Sequence, residues 1–188
     1  MNRKRNHETP RRVFVFITLG SNIEPERNLP RALDLLAQRI TVHRVAPVYQ
    51  SSAVNADGLP DPAQEAFLNT AVLAETDLPP ARLKFDVLRP IETELGRIRG
   101  PDKYAPRPID LDIALYGDER HEDREHSLVI PDPEIETRAH IALPLADLAP
   151  GFVHPLSRRT LGEIAERFAG APGIRRHPLM LFVPRGSD

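Results

Sequence analysis

The 188-residue sequence contains no cysteine and no tryptophan. Without cysteine, a disulfide framework, a thiolate zinc site and a cysteine nucleophile are all excluded. Long hydrophobic runs are missing too: none approaches the ~18 residues that a membrane-spanning helix needs. Charge of one sign is not in excess, and a net charge of −2 speaks against a chain that lives on nucleic acid or an anionic membrane. Aromatics are few, with seven Phe and three Tyr. A Walker-type glycine-rich loop is also lacking, so phosphate recognition would rest on Arg, Lys and metal rather than on a backbone cradle. Proline is in excess, at 20 residues, or about twice ordinary usage. The length suits one domain with a sizeable core.

Residues 1–12 hold Arg3, Lys4, Arg5, Arg11 and Arg12 against Glu8 and read as a basic, disordered leader. The apolar stretch that follows is too short for a secretory signal and has no small-x-small cleavage site. A cytoplasmic home fits the absence of cysteine. Residues 13–170 are expected to form the single domain, and residues 171–188 a loosely held tail rich in Pro and Arg.

Val13–Leu19, stopped by Gly20-Ser21-Asn22, reads as a buried strand. Asn28 then caps a predicted helix with Pro30 in its first turn, and Leu29, Leu33, Leu36 and Ile40 form its core face. Two β-like runs, Thr41–Ser51 and Ala66–Glu75, flank a polar loop. A second helix is predicted from Pro80 to Leu95, with Leu83, Val87, Ile91 and Leu95 on one face, Gly96 closing it and Pro90 awkward inside it. The cationic loop 97–107 leads into a strand over Ile109–Tyr116. This βαββαβ order reads as an α+β, ferredoxin-like core with helices packed on the sheet. A C-terminal helical extension follows, with a helix over Arg138–Leu148 and a Thr160/Glu163 capping box before the last helix.

The sharpest chemical feature is Ile109-Asp110-Leu111-Asp112-Ile113. In a strand Ile109, Leu111, Ile113 and Leu115 face the core together, which leaves Asp110 and Asp112 on the opposite face. Two carboxylates held so repel each other unless a cation neutralises them. Oxygen-only ligands at that spacing suit Mg²⁺, or a pair of Mg²⁺ clamping a polyphosphate. An Asp-x-Asp alone also suits a half-exposed strand with two solvated acids. Arg97, Arg99, Lys103 and Arg107 just before the pair supply the cations that a triphosphate with magnesium requires. The cluster His121–His126 has its imidazoles five residues apart rather than four, which does not put them on one helical face, and reads as a solvated turn. His154 reads as structural or exposed.

Leu19-Gly20-Ser21-Asn22, Phe67-Leu68-Asn69, Glu94-Leu95-Gly96-Arg97, Pro106-Arg107, Asp110-Leu111-Asp112-Ile113 and Pro144–Pro150 occur in that order. Together they resemble the 6-hydroxymethyl-7,8-dihydropterin pyrophosphokinases over about Val13 to Pro155. The resemblance implies transfer of the ATP β,γ-pyrophosphoryl unit to the pterin hydroxymethyl oxygen in folate biosynthesis, with AMP leaving. It implies two Mg²⁺ held by Asp110 and Asp112, with Arg97 and Arg107 catalytic. ATP would also meet Glu92, Arg99, Ile113, Leu128 and Arg138. The pterin would meet Ser51, Val54, Phe67, Asn69 and His140. The partners implied are these two small molecules, with no nucleic acid or membrane, and a monomer or homodimer.

Several positions depart from the family pattern. Tyr104 stands for the usual Trp of the cationic loop, Asp132 for a phosphate-donating His, Pro108 for Thr and Ser127 for a nucleotide-side Arg. His140 stands for the second stacking aromatic, and Pro90 perturbs the helix that carries Glu92. A paralogue with an altered acceptor, or a module that binds nucleotide or pterin without turnover, is the alternative these changes leave open.

Overall fold

The computed structural model describes residues 12–184 apart from Lys103, Arg124, His126 and Ser127. The rest of the basic leader, the loop cation Lys103, the second His of the His121–His126 cluster and the Ser127 departure therefore lie outside the described residues.

The chain is a mixed α/β protein built on an antiparallel sheet. Strand β1 (Val13–Ser21) lies between β5 (Asp110–Tyr116) and β4 (Phe67–Thr76), and β4 pairs on its other side with β2 (Thr41–Val45) and β3 (Tyr49–Ser51). β2 and β3 act as one strand broken at Ala46-Pro47, where Ala46 still exchanges a 2.8 Å N–H bond with the Ala71 carbonyl. A small hairpin, β6 (His121–Asp123) with β7 (Leu128–Ile130), stands apart from this sheet.

Period-two alternation divides the sheet into two apolar faces. Val15, Ile17, Leu19, Val72, Leu111 and Ile113 pack with helix α1 (Pro25–Ala37) and the helix over residues 80–94. Phe16, Ala71 and Leu115 pack on the opposite face with α4 (Ala139–Leu148) and α5 (Leu161–Glu166). The C-terminal helices are thus the cover of the second face. The Thr160/Glu163 capping box is formed at α5, each partner taking the other's backbone N–H.

Four local expectations need correcting. α1 begins one turn earlier than Asn28, after Glu24 in left-handed geometry, so Pro30 is internal and Asn28 is a buried helix residue that donates to the Ile23 carbonyl at 2.7 Å. The helix over 80–94 is not uniform. It runs α over α2 (Pro80–Arg82), π over Leu83–Leu88 and α over α3 (Arg89–Glu94), and the Arg89 N–H reaches five residues back to the Lys84 carbonyl. The wide turn precedes Pro90, which has no N–H to give and crowds the carbonyl four residues before it. In β5, Phe16 pairs with Leu115 but Ile17 pairs with Ile113, so Ala114 is an extra residue. The bulge turns Leu115 to the second face, away from Ile109, Leu111 and Ile113. Finally, the segment after Ala171 is not a loose tail over its described length. Strand β8 (Ile174–Arg176) adds to the sheet beside β3, and Leu179, Leu181 and Val183 pack against the first core.

Candidate active site

The cross-strand register sets out the site. Asp110 lies opposite Gly20 of β1, and Gly20 lies opposite Asn69 of β4. All three are at the same end of the sheet, and the missing side chain at Gly20 leaves a gap between the acid and the amide. A Cβ there would come within 3.1 Å of the Asn69 Oδ1, so a side chain at this position would press the amide aside by a few tenths of an ångström. Asn69 in turn donates to the Ser51 hydroxyl at 3.0 Å.

Above this row is a cavity of about 350 Å³. Ser51, Val54, Phe67, Asn69 and His140 all line it, together with Tyr104, Arg107, Asp110 and Arg138. Burial lowers the His140 pKa below its ordinary 6.5, so its ring is neutral at pH 7 and offers a flat apolar face. A smaller cavity of about 130 Å³ adjoins it, lined by Asp110, Asp112, Asp132, Glu134 and His140. The two share Gly20, Asn69, Asp110, Glu134 and His140, so the rings and the acid pair face one continuous cleft.

Beneath the cleft is a dense ionic network. Glu92, only 2% exposed, accepts from Arg97 at 2.7 Å, from Arg99 at 2.5 Å and from the Leu111 N–H at 2.9 Å. Arg97 also donates to Asp110 and to the Ile109 carbonyl, and Arg107 donates to the other Asp110 oxygen at 2.7 Å. Lys84 donates to the Leu111 carbonyl at 3.0 Å and to Asp112. Within this network three carboxylates, Glu92, Asp110 and Asp112, stand against four cations, Lys84, Arg97, Arg99 and Arg107.

The two acids of the pair differ. Desolvation works to raise Asp110, but the hydrogen bond and charge of Arg97, then those of Arg107, outweigh it and hold its pKa below 3.8. Asp112 moves the other way: desolvation and the neighbouring Asp110 charge outweigh Lys84 and raise it. Burial raises Glu92 as well, against the Leu111 N–H and the arginines. Asp132 is raised to about 6, first by burial and then by Asp112 and Glu134, with its bond from the Glu134 N–H and the Lys84 charge pulling down. Asp110, Asp112, Asp132 and Glu134 offer carboxylate oxygens to the smaller cavity, the kind of donor that hard divalent cations take. Among the described residues no three or more His, Asp or Glu gather into a complete metal cage. A cation at Asp110 and Asp112 would therefore complete its shell with ligand and water oxygens.

Ile113, Leu128 and Arg99 lie outside both cavities, and Arg138 lines the larger one. Ile113 and Leu128 are 3% and 5% exposed in the first core and line neither cavity. Arg99 lies with Arg97 and Arg107 around a third, 150 Å³ hollow in the cationic loop. Arg138 is the N-terminal cap residue of α4 and pairs with Glu134 at 3.6 Å. The Nδ1 of His154 accepts from the backbone N–H groups of Leu156 and Ser157, a structural role.

Two residues went unassigned in the sequence. Lys84 had a signal: Lys84, Leu88, Ile91 and Leu95 share helical spacing, so a cation sits on an apolar stripe. Asn22 had none beyond its motif. Its side chain accepts from the Arg107 N–H at 2.8 Å and donates to the Glu65 carbonyl at 3.3 Å, while its own N–H bonds the Arg107 carbonyl at 3.1 Å. It ties the turn after β1 to the cationic loop and to the loop before β4.

Residues 16–150 match the family model for 7,8-dihydro-6-hydroxymethylpterin-pyrophosphokinase (HPPK). The 2-amino-4-hydroxy-6-hydroxymethyldihydropteridine pyrophosphokinase of Synechocystis sp. is 36% identical over 181 residues, covering 89% of this chain and 88% of its own length. The enzyme of that name from Pseudomonas aeruginosa is 36% identical over 170 residues, 87% of this chain and 96% of its own. Among solved structures, the wild-type HPPK-DHPS chain of Plasmodium falciparum superposes with a TM-score of 0.65 at 14% identity, over 88% of this chain, which shows the fold. The present chain spans about half the length of that chain. By the length of the family match and the identity to these relatives, the chain belongs to the 7,8-dihydro-6-hydroxymethylpterin-pyrophosphokinase family.

Proposed function

We propose that this chain transfers the pyrophosphoryl group of ATP to the hydroxymethyl oxygen of 6-hydroxymethyl-7,8-dihydropterin, releasing AMP, with the cleft over Gly20 as the site of reaction. The strand order β5-β1-β4 with β2 and β3 beyond supports a ferredoxin-like core for it. The single observation that carries the reading is the row Asp110, Gly20, Asn69, which joins an acid pair to a ring-lined pocket in one cleft.

In this reading the pterin ring lies between Phe67 and His140, an arrangement worth about 0.5–1.5 kcal/mol per ring beyond area burial. Asn69 and the backbone of Ser51 and Val54 hydrogen-bond its polar edge. The hydroxymethyl group then points across Gly20 toward Asp110. Arg107 and Arg138 bind the phosphates from two sides, and Arg97 and Arg99, anchored on Glu92, add positive potential behind them. Asp110 and Asp112 would hold Mg²⁺, which when bound neutralises and orients the β- and γ-phosphates. Tyr104 and the loop around it close over the reactants and exclude water. The pterin oxygen forms its bond to the β-phosphorus as the bond from that phosphorus to the α,β-bridging oxygen breaks; the hydroxyl proton passes to water, and AMP leaves with the bridging oxygen. Such in-line displacement needs alignment and charge neutralisation, both of which the cleft can supply.

The test is AMP release from ATP and Mg²⁺ with and without 6-hydroxymethyl-7,8-dihydropterin. Pterin-dependent AMP supports the reading. Folded protein that binds the pterin but releases no AMP refutes it, in favour of a binding module.

A further inference from the structure

Lys84 is 8% exposed and sits in the π-helical stretch, on the apolar side of its helix. Leu83, Val87 and Leu88 of the same stretch are buried with it. Its ammonium emerges at the edge of β5, where it holds the Leu111 carbonyl at 3.0 Å and the Asp112 carboxylate. A buried ammonium needs such partners, because leaving it unpaired costs several kcal/mol or shifts its protonation. The cleft face of Asp112 is otherwise crowded with acids: Asp110, Asp132 and Glu134 line the same small cavity.

We propose that Lys84 is a resident counter-ion that keeps free divalent cation off Asp112 until a triphosphate arrives. This rests on the reading of Asp110 and Asp112 as metal ligands. With the cleft empty, the ammonium neutralises Asp112, and a metal ion entering alone has to displace it from its carboxylate. An incoming triphosphate offers anionic oxygens in its place. Lys84 keeps its bond to the fixed Leu111 carbonyl, turns a proton toward the phosphate, and frees Asp112 for the metal that accompanies the nucleotide. Metal and nucleotide therefore enter as a unit, and Lys84 contributes a phosphate contact on the side where Asp132 provides none.

The experiment titrates Mn²⁺ by electron paramagnetic resonance of the free ion, with and without an unreactive α,β-methylene analogue of ATP. The wild-type protein is expected to bind Mn²⁺ weakly alone, and Lys84→Met to bind it alone about tenfold tighter or more, as removal of an adjacent positive charge requires. Lys84→Arg, which keeps the charge, should stay near wild type. Equal Mn²⁺ affinity of wild type and Lys84→Met without the analogue overturns the proposal and leaves Lys84 a structural clip. Should Lys84→Met not fold, the wild type decides: Mn²⁺ bound as tightly without the analogue as with it overturns the proposal. No Mn²⁺ uptake by the wild type even with the analogue would remove the metal role of Asp110 and Asp112, and this inference with it.

Discussion

Asp132→Asn is the most informative single substitution. Asp132 caps the short 3-10 turn Pro133–Glu136 by accepting the Glu134 N–H at 2.7 Å, and its own N–H bonds the carbonyl of the bulged Ala114. Asparagine keeps that acceptor and that N–H, so the substitution removes charge and little else. The carboxyl is raised from 3.8 to about 6 by burial and by Asp112 and Glu134. Such a displacement corresponds to about 3 kcal/mol between its two protonation states. Partial contact with water screens this to about 1–2 kcal/mol. Between pH 3.8 and about 6 the folded protein holds a proton that the unfolded chain has lost. Stability therefore falls as pH rises through that window, and the whole penalty is present above it. In EDTA, urea unfolding should thus show Asp132→Asn equal to wild type near pH 4 and about 1–2 kcal/mol more stable at pH 8. At pH 8 the same charge faces the triphosphate, so the substitution should also lower the KM for ATP severalfold. A stability difference that does not change with pH, or a less stable variant at pH 8, would refute the assignment of a strained charge to this residue.

The remaining predictions concern the other walls of the cleft. Asp110→Asn and Asp112→Asn should each abolish metal-dependent AMP formation, but their stabilities should diverge. Because Arg97 and Arg107 hold Asp110 low, its stabilising contribution is present above the ordinary carboxylate range and lost as pH falls through its folded pKa; its removal should cost about 1–2 kcal/mol at pH 7, whereas Asp112→Asn, which relieves a raised carboxylate and keeps an amide oxygen to accept from Lys84, should cost less. Equal losses for both in thermal unfolding would contradict the asymmetry. His140→Phe should tighten pterin binding about threefold in a fluorescence titration through a better stacking face, and weaker binding would mean that the imidazole makes a specific contact. Asn22→Ala should lower kcat more than it raises the KM for pterin, because it unfastens the Arg107 loop; an unchanged kcat would confine Asn22 to a structural part.

Much of the site was legible because period two is a strict rule in a strand. Asp110 and Asp112 could be put on one face from spacing alone, and the motif likeness named the five pocket residues that line the cavity. Spacing failed where the backbone departs from regular geometry. The extra residue at Ala114 reversed Leu115, and the helix before Pro90 runs π over Leu83–Leu88 where a regular α-helix was expected. The acids also looked equivalent in sequence, since nothing local says that Arg97 joins the neighbouring Arg107 on Asp110 or that a lysine reaches Asp112. Those pairings cross 13 and 28 residues of chain and exist only once the helix lies along β5. The segment after Ala171 was misjudged for a related reason: its Pro and Arg content argued for a loose end, while β3 supplied a strand edge to bind it.

The double hold on Leu111 has a consequence outside the chemistry. β5 is the outermost strand of its sheet on that side, and an outer strand offers its bare amides to any other extended chain. Here the N–H of Leu111 is taken by Glu92 and its carbonyl by Lys84, so at Leu111, near the start of that border, no backbone group is left for a stranger. A neighbouring polypeptide would have to break two charged contacts before it could zip on. The groups that serve the cleft thereby also keep separate molecules from fusing edge to edge. Loss of Glu92 would free the Leu111 N–H for another extended chain as well as remove the anchor of Arg97 and Arg99.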